Sequence, residues 1–102
     1  MASSNDYLVY VLDICREVNG LHYKKMMGEY LLYSGPTLFG GIYDNRFLIK
    51  ATPSTKVLGL KETTPYPGAK PMLILDSENP REIAEIVEAM VGNSKPNEQS
   101  SL

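Results

Sequence analysis

The sequence predicts an α+β protein with two layers, in which an antiparallel sheet built on a three-strand meander is flanked by an N-terminal and a C-terminal helix. Three observations predict it. Residues 30–52 are three strand-like segments separated by turn residues. Residues 4–18 and 79–91 have apolar positions at helical spacing with capping residues in front. Residues 72–75 form a short apolar run that is typical of a further strand.

The hairpin around Asp44-Asn45 fixes the first register. Both residues tolerate the left-handed backbone region that a two-residue primed turn needs, so the numbers of paired residues sum to 89. One face then carries the pairs Ile42 and Phe47, Gly40 and Ile49, and Leu38 and Ala51. The other face carries Tyr43 and Arg46, Gly41 and Leu48, and Phe39 and Lys50. The first face is apolar throughout, so it is predicted to face the core.

The strand before this hairpin is predicted from the turn around Gly35-Pro36. If residues 34–37 form a four-residue loop, Leu31 and Tyr33 join the core face, whereas Tyr30 and Leu32 join the mixed face. The adjacent Gly40 and Gly41 indicate close packing or a β-bulge rather than a ligand site.

Both helices have recognisable ends. In the first, Ser4 or Asn5 is the predicted cap and Asn19-Gly20 the stop. Its apolar stripe comprises Leu8, Val11, Leu12, Cys15 and Val18. In the last, Asn79 is the predicted cap, Pro80 occupies the first turn, Glu82 completes a capping box, and the helix stops before Gly92. Its apolar face comprises Ile83, Ile86, Val87 and Met90, and Glu82, Glu85 and Glu88 form a solvated face.

The remaining segments are less regular. Residues 53–70 contain one possible helical turn over 54–60, and their prolines argue against a central strand. Residues 23–27 are expected to add an edge strand or an extended arm. We therefore expect one domain over residues 1–92, followed by a disordered tail over 93–102 that lacks apolar anchors.

Composition limits the classes of function. The chain has 102 residues, enough for one core, and its single cysteine excludes an internal disulfide framework. No leader or long apolar run is present, so we expect a cytoplasmic protein without a membrane segment. Net charge is −2, with eight Lys/Arg against six Asp/Glu in residues 1–70 and two against six thereafter. This charge distribution argues against autonomous DNA binding.

The residue types that carry catalysis are sparse. His22 is the only histidine and Cys15 has no basic partner at local spacing, so neither a metal cluster nor a Cys-His dyad is predicted. Cys15 is expected to be a small buried hydrophobe, and His22 a surface or locally hydrogen-bonded imidazole. Gly28, Gly35 and Gly68 do not have the spacing of a nucleotide-binding loop. We expect no enzyme activity, no cofactor and no metal.

The mixed face of the sheet is the candidate interaction surface, because a face left to water is normally more polar. The candidate residues are Lys24, Lys25, Tyr30, Leu32, Phe39, Tyr43, Arg46, Leu48 and Lys50. A protein partner or a second copy of the chain would cover this face. Two alternatives stay open: a small-molecule or nucleic-acid site using Lys24, Lys25 and Lys50, or internal burial under residues 53–70 or the first helix.

Two segments carry a resemblance to a known family. Residues 24–33 read KKMMGEYLLY, which resembles the "RRMFGGYGLY" signature of the N-terminal domain of TfoX/Sxy competence regulators. Residues 39–50 read FGGIYDNRFLIK, which is similar to that family's "FALIADDRLYLK" segment, and residues 65–66 and 68–72 are similar to its later elements. The resemblance covers about residues 6–91. It implies a stand-alone domain of this type, a two-layer α+β fold and a role in controlling DNA-uptake genes through contact with the transcription machinery.

The acidic balance generates a first prediction. The isolated protein is expected to show no strong, salt-sensitive affinity for duplex DNA, because residues 71–102 carry six acids against two bases. Fluorescence anisotropy with a labelled duplex at physiological salt is the measurement. Submicromolar binding that weakens steeply as salt rises would contradict the expectation.

Overall fold

The computed structural model describes residues 3–93 and confirms the two-layer α+β fold. The elements are α1 (Asn5–Ile14), β1 (Leu21–Met26), β2 (Glu29–Ser34), β3 (Thr37–Ile42), β4 (Phe47–Lys50), α2 (Pro53–Lys56), β5 (Glu62–Thr63), β6 (Met72–Ile74) and α3 (Pro80–Asn93). The strands form one antiparallel sheet in the order β1-β2-β3-β4-β6-β5. The predicted meander is thus present and is longer by one strand, because β1 pairs with β2.

The two faces of the sheet have different surroundings. We call the face that meets the helices the inner face and the opposite one the outer face. The hydrophobic core joins apolar residues of α1 and α3 to the inner face. The sheet contributes Tyr30, Leu32, Phe39, Ile42, Phe47, Ile49, Leu73 and Leu75 to this core. Both long helices therefore lie on one side of the sheet.

The β3–β4 hairpin has the predicted register. Its observed pairs are Gly40 with Ile49, Gly41 with Leu48, and Ile42 with Phe47. Asp44 and Asn45 have φ angles of 54° and 56°, as a primed two-residue turn requires. The inner-face assignment of Ile42, Phe47 and Ile49 is confirmed, because all three are buried in the core.

The β2–β3 hairpin differs from the prediction. Gly35-Pro36 is a two-residue turn closed by the pair Ser34 and Thr37, and the next pair is Tyr33 with Leu38. The register then shifts, so that Leu32 pairs with Gly40. One residue of β3, Phe39, is left without a partner on β2, which is the arrangement of a β-bulge.

This bulge reverses the predicted faces of β2. The uniform register expected from the sequence pairs Leu31 with Gly40 and assigns Tyr30 and Leu32 to the mixed face. That assignment is wrong: Tyr30 pairs with Ile42, and both Tyr30 and Leu32 are buried in the core. The physical reason lies at Glu29, which the uniform register would place opposite Ile42 on the apolar inner face, where a carboxylate is costly to bury.

Phe39 changes face for the same reason. It was predicted to lie on the mixed face opposite Lys50, but its side chain is fully buried (0% exposed) in the inner core. Leu38, predicted to be a core residue, is only half-buried and pairs with Tyr33. The bulge thus moves one aromatic ring into the core and one leucine out of it.

Gly40 permits the bulge to lie close to β4. A Cβ at this position would fall against the carbonyl oxygen of Leu48 and 3.0 Å from the Cα of Ile49. Because these are backbone atoms, no side-chain rotation would relieve the contact. The pair of glycines was expected to mark close packing or a bulge, and Gly40 does both.

Helix α1 is capped as predicted but ends earlier. The Ser4 side chain accepts a hydrogen bond from the Tyr7 backbone N–H, and the helix ends at Ile14 rather than at Asn19-Gly20. Turns follow up to Gly20, whose φ is +69°. Leu8, Val11, Cys15 and Val18 are still buried as the apolar stripe predicted, and Leu12 is half-buried against them.

Helix α3 begins at the predicted cap and continues to Asn93, past the predicted stop. The Asn79 side-chain oxygen accepts hydrogen bonds from the backbone N–H groups of Arg81 and Glu82. Glu82 does not close the expected capping box with Asn79. Instead, the Ser77 hydroxyl donates to the Glu82 carboxylate and accepts from the Asn79 backbone N–H.

Residues 53–70 agree with the prediction that they form no central strand. Their helical turn, α2, is shorter than the expected span of 54–60, and the two-residue β5 lies at the edge of the sheet. Apart from its first residue, Asn93, the tail predicted to be disordered lies outside the described residues.

The bulge generates a stability prediction. Phe39→Ala is expected to lower the free energy of unfolding by about 3–5 kcal/mol, because it empties a fully buried site. Leu38→Ala, at the adjacent but half-buried position, should cost clearly less. Urea denaturation of both variants is the measurement. A larger loss for Leu38→Ala would mean that β3 has no bulge.

Candidate interaction surface

The outer face carries a band of partly exposed, largely apolar side chains. Paired residues of adjacent antiparallel strands share a face, and the outer-face pairs include Tyr33 with Leu38 and Leu48 with Ile74. We define the outer band by its five half-buried members, which are Leu31, Tyr33, Leu38, Met72 and Ile74. Within residues 3–93 the helices pack with the inner face, and none of them packs against the outer face.

Two exposed cations lie on the outer face. Lys24 on the terminal strand β1 lies at one side of the outer band, whereas Lys50 lies within the band, because β4 separates β3 from β6 and Lys50 pairs with Met72. The Lys24 ammonium lies 5.7 Å from the centroid of the Tyr33 ring. Within residues 3–93 the only ion pair joins Arg16 to Asp13, so neither lysine is neutralised by a carboxylate.

The structure separates the nine predicted surface residues into four groups. Tyr30, Leu32 and Phe39 are wrong as surface residues, because the bulge at Phe39 turns them into the core. Lys25 is exposed but pairs with Tyr30 and so belongs to the inner side of β1. The outer face retains Lys24, Tyr43, Arg46 and Lys50. Leu48 also points to this face, but it is fully buried and is therefore wrong as a surface residue.

Arg46 is a structural clamp rather than a free cation. Its guanidinium donates to the Tyr43 carbonyl at 3.1 Å, to the Thr63 hydroxyl at 3.1 Å and to the Pro65 carbonyl at 3.3 Å. These bonds hold residues 63–65 against the end of β4, and the Tyr66 ring then lies 6.4 Å from that of Tyr43. The loop at residues 63–66 therefore covers this end of the outer face, as the alternative of internal burial predicts. The outer band stays partly exposed.

A shallow groove separates this loop from the sheet. It has a volume of about 320 Å³ and lies between residues 65–72 and strands β3 and β4. Leu38, Tyr43, Lys50, Tyr66, Lys70 and Met72 are among its lining residues. Burial raises the pKa of the Tyr43 hydroxyl above its ordinary value, and nearby Tyr66 and Glu29 raise it further. Tyr43 is therefore a neutral hydrogen-bonding group at physiological pH.

A larger cleft of about 710 Å³ lies at the other end of the molecule, between α3 and the turns at residues 17–20 and 34–36. Its charged lining residues are Glu17, Arg81, Glu85 and Glu88. Glu82, Glu85 and Glu88 are all exposed, in agreement with the predicted solvated face of the last helix. The acids therefore lie on the helical side of the molecule, opposite the cations of the outer face.

His22 and Cys15 have the surroundings expected of them. The exposed His22 ring stacks on Tyr33 with centroids 5.0 Å apart, and its Nδ1 lies 3.0 Å from the Gly20 carbonyl oxygen. Cys15 is fully buried, and this burial raises the pKa of its thiol to about 12. Over residues 3–93 no three potential ligands of the His, Cys, Asp and Glu types come together to hold a metal ion.

The sequence pattern does not predict the outer band. A uniform register across β2 and β3 places Leu31, Tyr33 and Leu38 on the core face instead. One signal could have revealed the error, since that register places Glu29 on the inner face opposite Ile42. A bulge beside Gly40 removes this conflict. Ile74 and Met72 depend on the pairing of β6 with β4, which no local pattern specifies.

Fold and surface together define a class: a small α+β protein whose antiparallel sheet is covered by helices on one face and partly open on the other. No helix within residues 3–93 is long and apolar enough to cross a membrane. No family model matches the chain, and no curated protein matches it.

The buried thiol generates a pH prediction. Because the pKa of Cys15 is about 12 in the fold against an ordinary 9.0, the unfolded chain loses this proton first as pH rises. The free energy of unfolding should therefore fall between about pH 9 and 12, whereas Cys15 contributes no slope below that window.

Chemical denaturation across this pH range is the measurement, with Cys15→Ala as the control. The variant is expected to be less stable at neutral pH, because it leaves a small cavity, but to lose less stability between pH 9 and 12. Equal slopes for both proteins would contradict a thiol held neutral by burial.

Proposed function

We propose that this chain is a non-enzymatic protein-interaction module whose binding surface is the outer face of its sheet. The observation that carries the proposal is the outer band, five half-buried and mostly apolar residues on a sheet face that no described helix covers. Antiparallel sheets that face water are ordinarily polar on that side. Apolar surface of this kind marks binding sites when a rim of polar residues surrounds it.

The charges on this face favour a particular partner. Lys24 at one side of the outer band and Lys50 within it form no ion pair in residues 3–93, so a partner that presents acidic side chains among apolar ones would be complementary. A second copy docked through its own outer face would add further lysines to the same interface. Complementarity thus favours a different protein over a homodimer.

The resemblance to the TfoX/Sxy N-terminal domain extends the proposal to a cellular role. In that role the module takes part in controlling the genes of DNA uptake by contacting the transcription machinery. The supporting elements are the segments at residues 24–33 and 39–50, which in the structure form the β1–β2 hairpin and the β3–β4 hairpin. Two outer-band residues, Leu31 and Tyr33, lie in the first of these segments.

A second candidate function rests on the groove beside Tyr66. Lys50 and Lys70 lie at a cavity whose other lining is apolar or aromatic, which suits a small planar anion. This is the small-molecule alternative to a protein partner. It predicts that such a ligand shields Tyr43 and Tyr66 from solvent. Leu31 and Tyr33, at the far end of the outer band, should stay as exposed as in the free protein.

The proposal is tested by capturing partners from a lysate of the protein's own cells with tagged variants. Leu38→Glu places a charge in the outer band, and Lys50→Glu reverses an exposed charge with little risk to folding. Val57→Glu is the matched control, because Val57 is 81% exposed and lies outside the sheet. Circular dichroism establishes that each variant is folded.

The expected result is a protein captured by wild type and by Val57→Glu, with at least about a tenfold loss for both outer-face variants, or about 1.4 kcal/mol of binding free energy. In cells that lack the chromosomal gene, the same two variants should fail to restore expression of DNA-uptake genes. Equal capture by all four proteins would rule out the outer face as the binding surface. Sedimentation of wild type as a dimer that Leu38→Glu dissociates would replace the partner with a second copy.

A further inference from the structure

Strand β1 leaves one edge of the sheet open. It is a terminal strand with β2 as its only neighbour among residues 3–93, and it is six residues long. The opposite terminal strand, β5, has two residues. Five of the six β1 residues are exposed, and only Leu21 is half-buried. A long open edge of this kind is a template for an additional strand.

The turn between β1 and β2 determines which backbone groups point outward. Met27 and Gly28 form a two-residue turn with φ angles of 51° and 84°, so Met26 and Glu29 are the closing, hydrogen-bonded pair. Bonds to β2 then recur at every second residue of β1. The hydrogen bond from the Gly35 N–H to the Gly20 carbonyl continues the same alternation. Consequently, the backbone N–H and C=O groups of Tyr23 and Lys25 point away from β2.

The charged side chains along this edge are both positive. Lys24 lies on the outer face and Lys25 on the inner side, and neither belongs to an ion pair within the described part of the chain. Tyr23 and Met26 add apolar surface, with 44% and 51% of their areas exposed. The strand itself, LHYKKM, contains no acidic residue.

This charge decides what can pair with the edge. Tyr23 and Lys25 present their backbone groups outward, so two copies of β1 paired antiparallel with Tyr23 opposite Lys25 would place Lys24 of one copy directly opposite Lys24 of the other. Like charges across a strand pair are destabilising, and lysines on an edge strand are a known protection against self-association. The same lysines favour an incoming strand that carries carboxylates.

We propose that β1 accepts an extended, acidic segment of a partner protein as a seventh strand of the sheet. Backbone hydrogen bonds to Tyr23 and Lys25 would supply affinity, and acidic side chains facing Lys24 and Lys25 would supply specificity. The segment lies beside Lys24, at the margin of the outer band. The inference rests on the proposed function, because it names the kind of chain that the interaction module binds.

Substitutions at Tyr23 measure how much the backbone hydrogen bonds of β1 contribute to binding of the added strand. Proline at this position removes an N–H that points away from β2, so the internal ladder keeps all its bonds. Tyr23→Ala removes the same side chain but retains the N–H and is the matched control. Lys24→Glu combined with Lys25→Glu reverses the charge of the edge without changing the backbone.

The probe is a fluorescent ten-residue peptide in which pairs of glutamates alternate with pairs of valines, so that both faces of the extended peptide carry acids, and binding is followed by anisotropy. Wild type is expected to bind it, more weakly as salt rises. Tyr23→Pro should bind the peptide at least about tenfold more weakly than Tyr23→Ala. This is the affinity expected to be lost when one backbone hydrogen bond between β1 and the peptide is removed. The double glutamate variant should prefer the corresponding lysine-valine peptide.

Several results would overturn the inference. They are an absence of peptide binding by wild type, equal affinities for Tyr23→Pro and Tyr23→Ala, or tighter binding of a single-stranded oligonucleotide than of the peptide. Thermal unfolding of both Tyr23 variants shows whether each is folded. Amide hydrogen exchange provides a second measurement, because bound peptide should protect the Tyr23 and Lys25 amides of wild type.

Capture of partners from the lysate distinguishes an error in the strand-addition mode from an error in the proposed function. If Tyr23→Pro retains the captured protein while Leu38→Glu loses it, the outer face is the binding surface and the strand-addition mode is wrong. If Leu38→Glu and Lys50→Glu retain it while Tyr23→Pro loses it, the edge is the site and the outer-face function is wrong.

Discussion

The β-bulge at Phe39 is the constraint on which the arrangement of this protein depends. Carried uniformly along β3, the registers set by the turns at Gly35-Pro36 and Asp44-Asn45 would turn Glu29 toward the helices and Tyr30 and Leu32 away from them. One additional residue in β3 exchanges these two faces. It buries Phe39 with Tyr30 and Leu32, and leaves Glu29 outside the core. The close approach of Gly40 to β4 makes this geometry possible.

Glu29, once outside the core, takes part in the network that joins the N-terminus to two turns. Its carboxylate accepts hydrogen bonds from the Ser3 hydroxyl at 2.7 Å and the Asp44 backbone N–H at 3.2 Å. The Ser3 hydroxyl accepts from the Asn45 backbone N–H, and the Ser3 N–H donates to the Gly28 carbonyl. Both turns are thereby held in place near the start of α1. The network also stabilises the β1–β2 hairpin, which carries the open edge.

The asymmetry of the sheet connects the fold to the two proposals. Both long helices occupy the inner face, and the acids of α3 lie with them, so the outer face is left with apolar side chains and two exposed cations, Lys24 and Lys50. Lys24 belongs both to this face and to the open edge of β1. A partner that contributes a strand at the edge and apolar side chains to the face would therefore meet one continuous surface. Arg46 takes no part, because its bonds to Thr63 and Pro65 occupy it.

The sequence determined those features whose causes are local. These include both helix N-caps, the primed turn at Asp44-Asn45 with its register, and the burial of Cys15, because each depends on neighbouring residues or on strict alternation. The tertiary structure decided the rest. The faces of Tyr30, Leu32 and Phe39 depend on a compromise between two hairpins, and the position of Ile74 beside Leu48 depends on a pairing between distant segments. A period-two pattern cannot reveal an inserted residue, since shifting the register by one exchanges the two faces without changing the pattern.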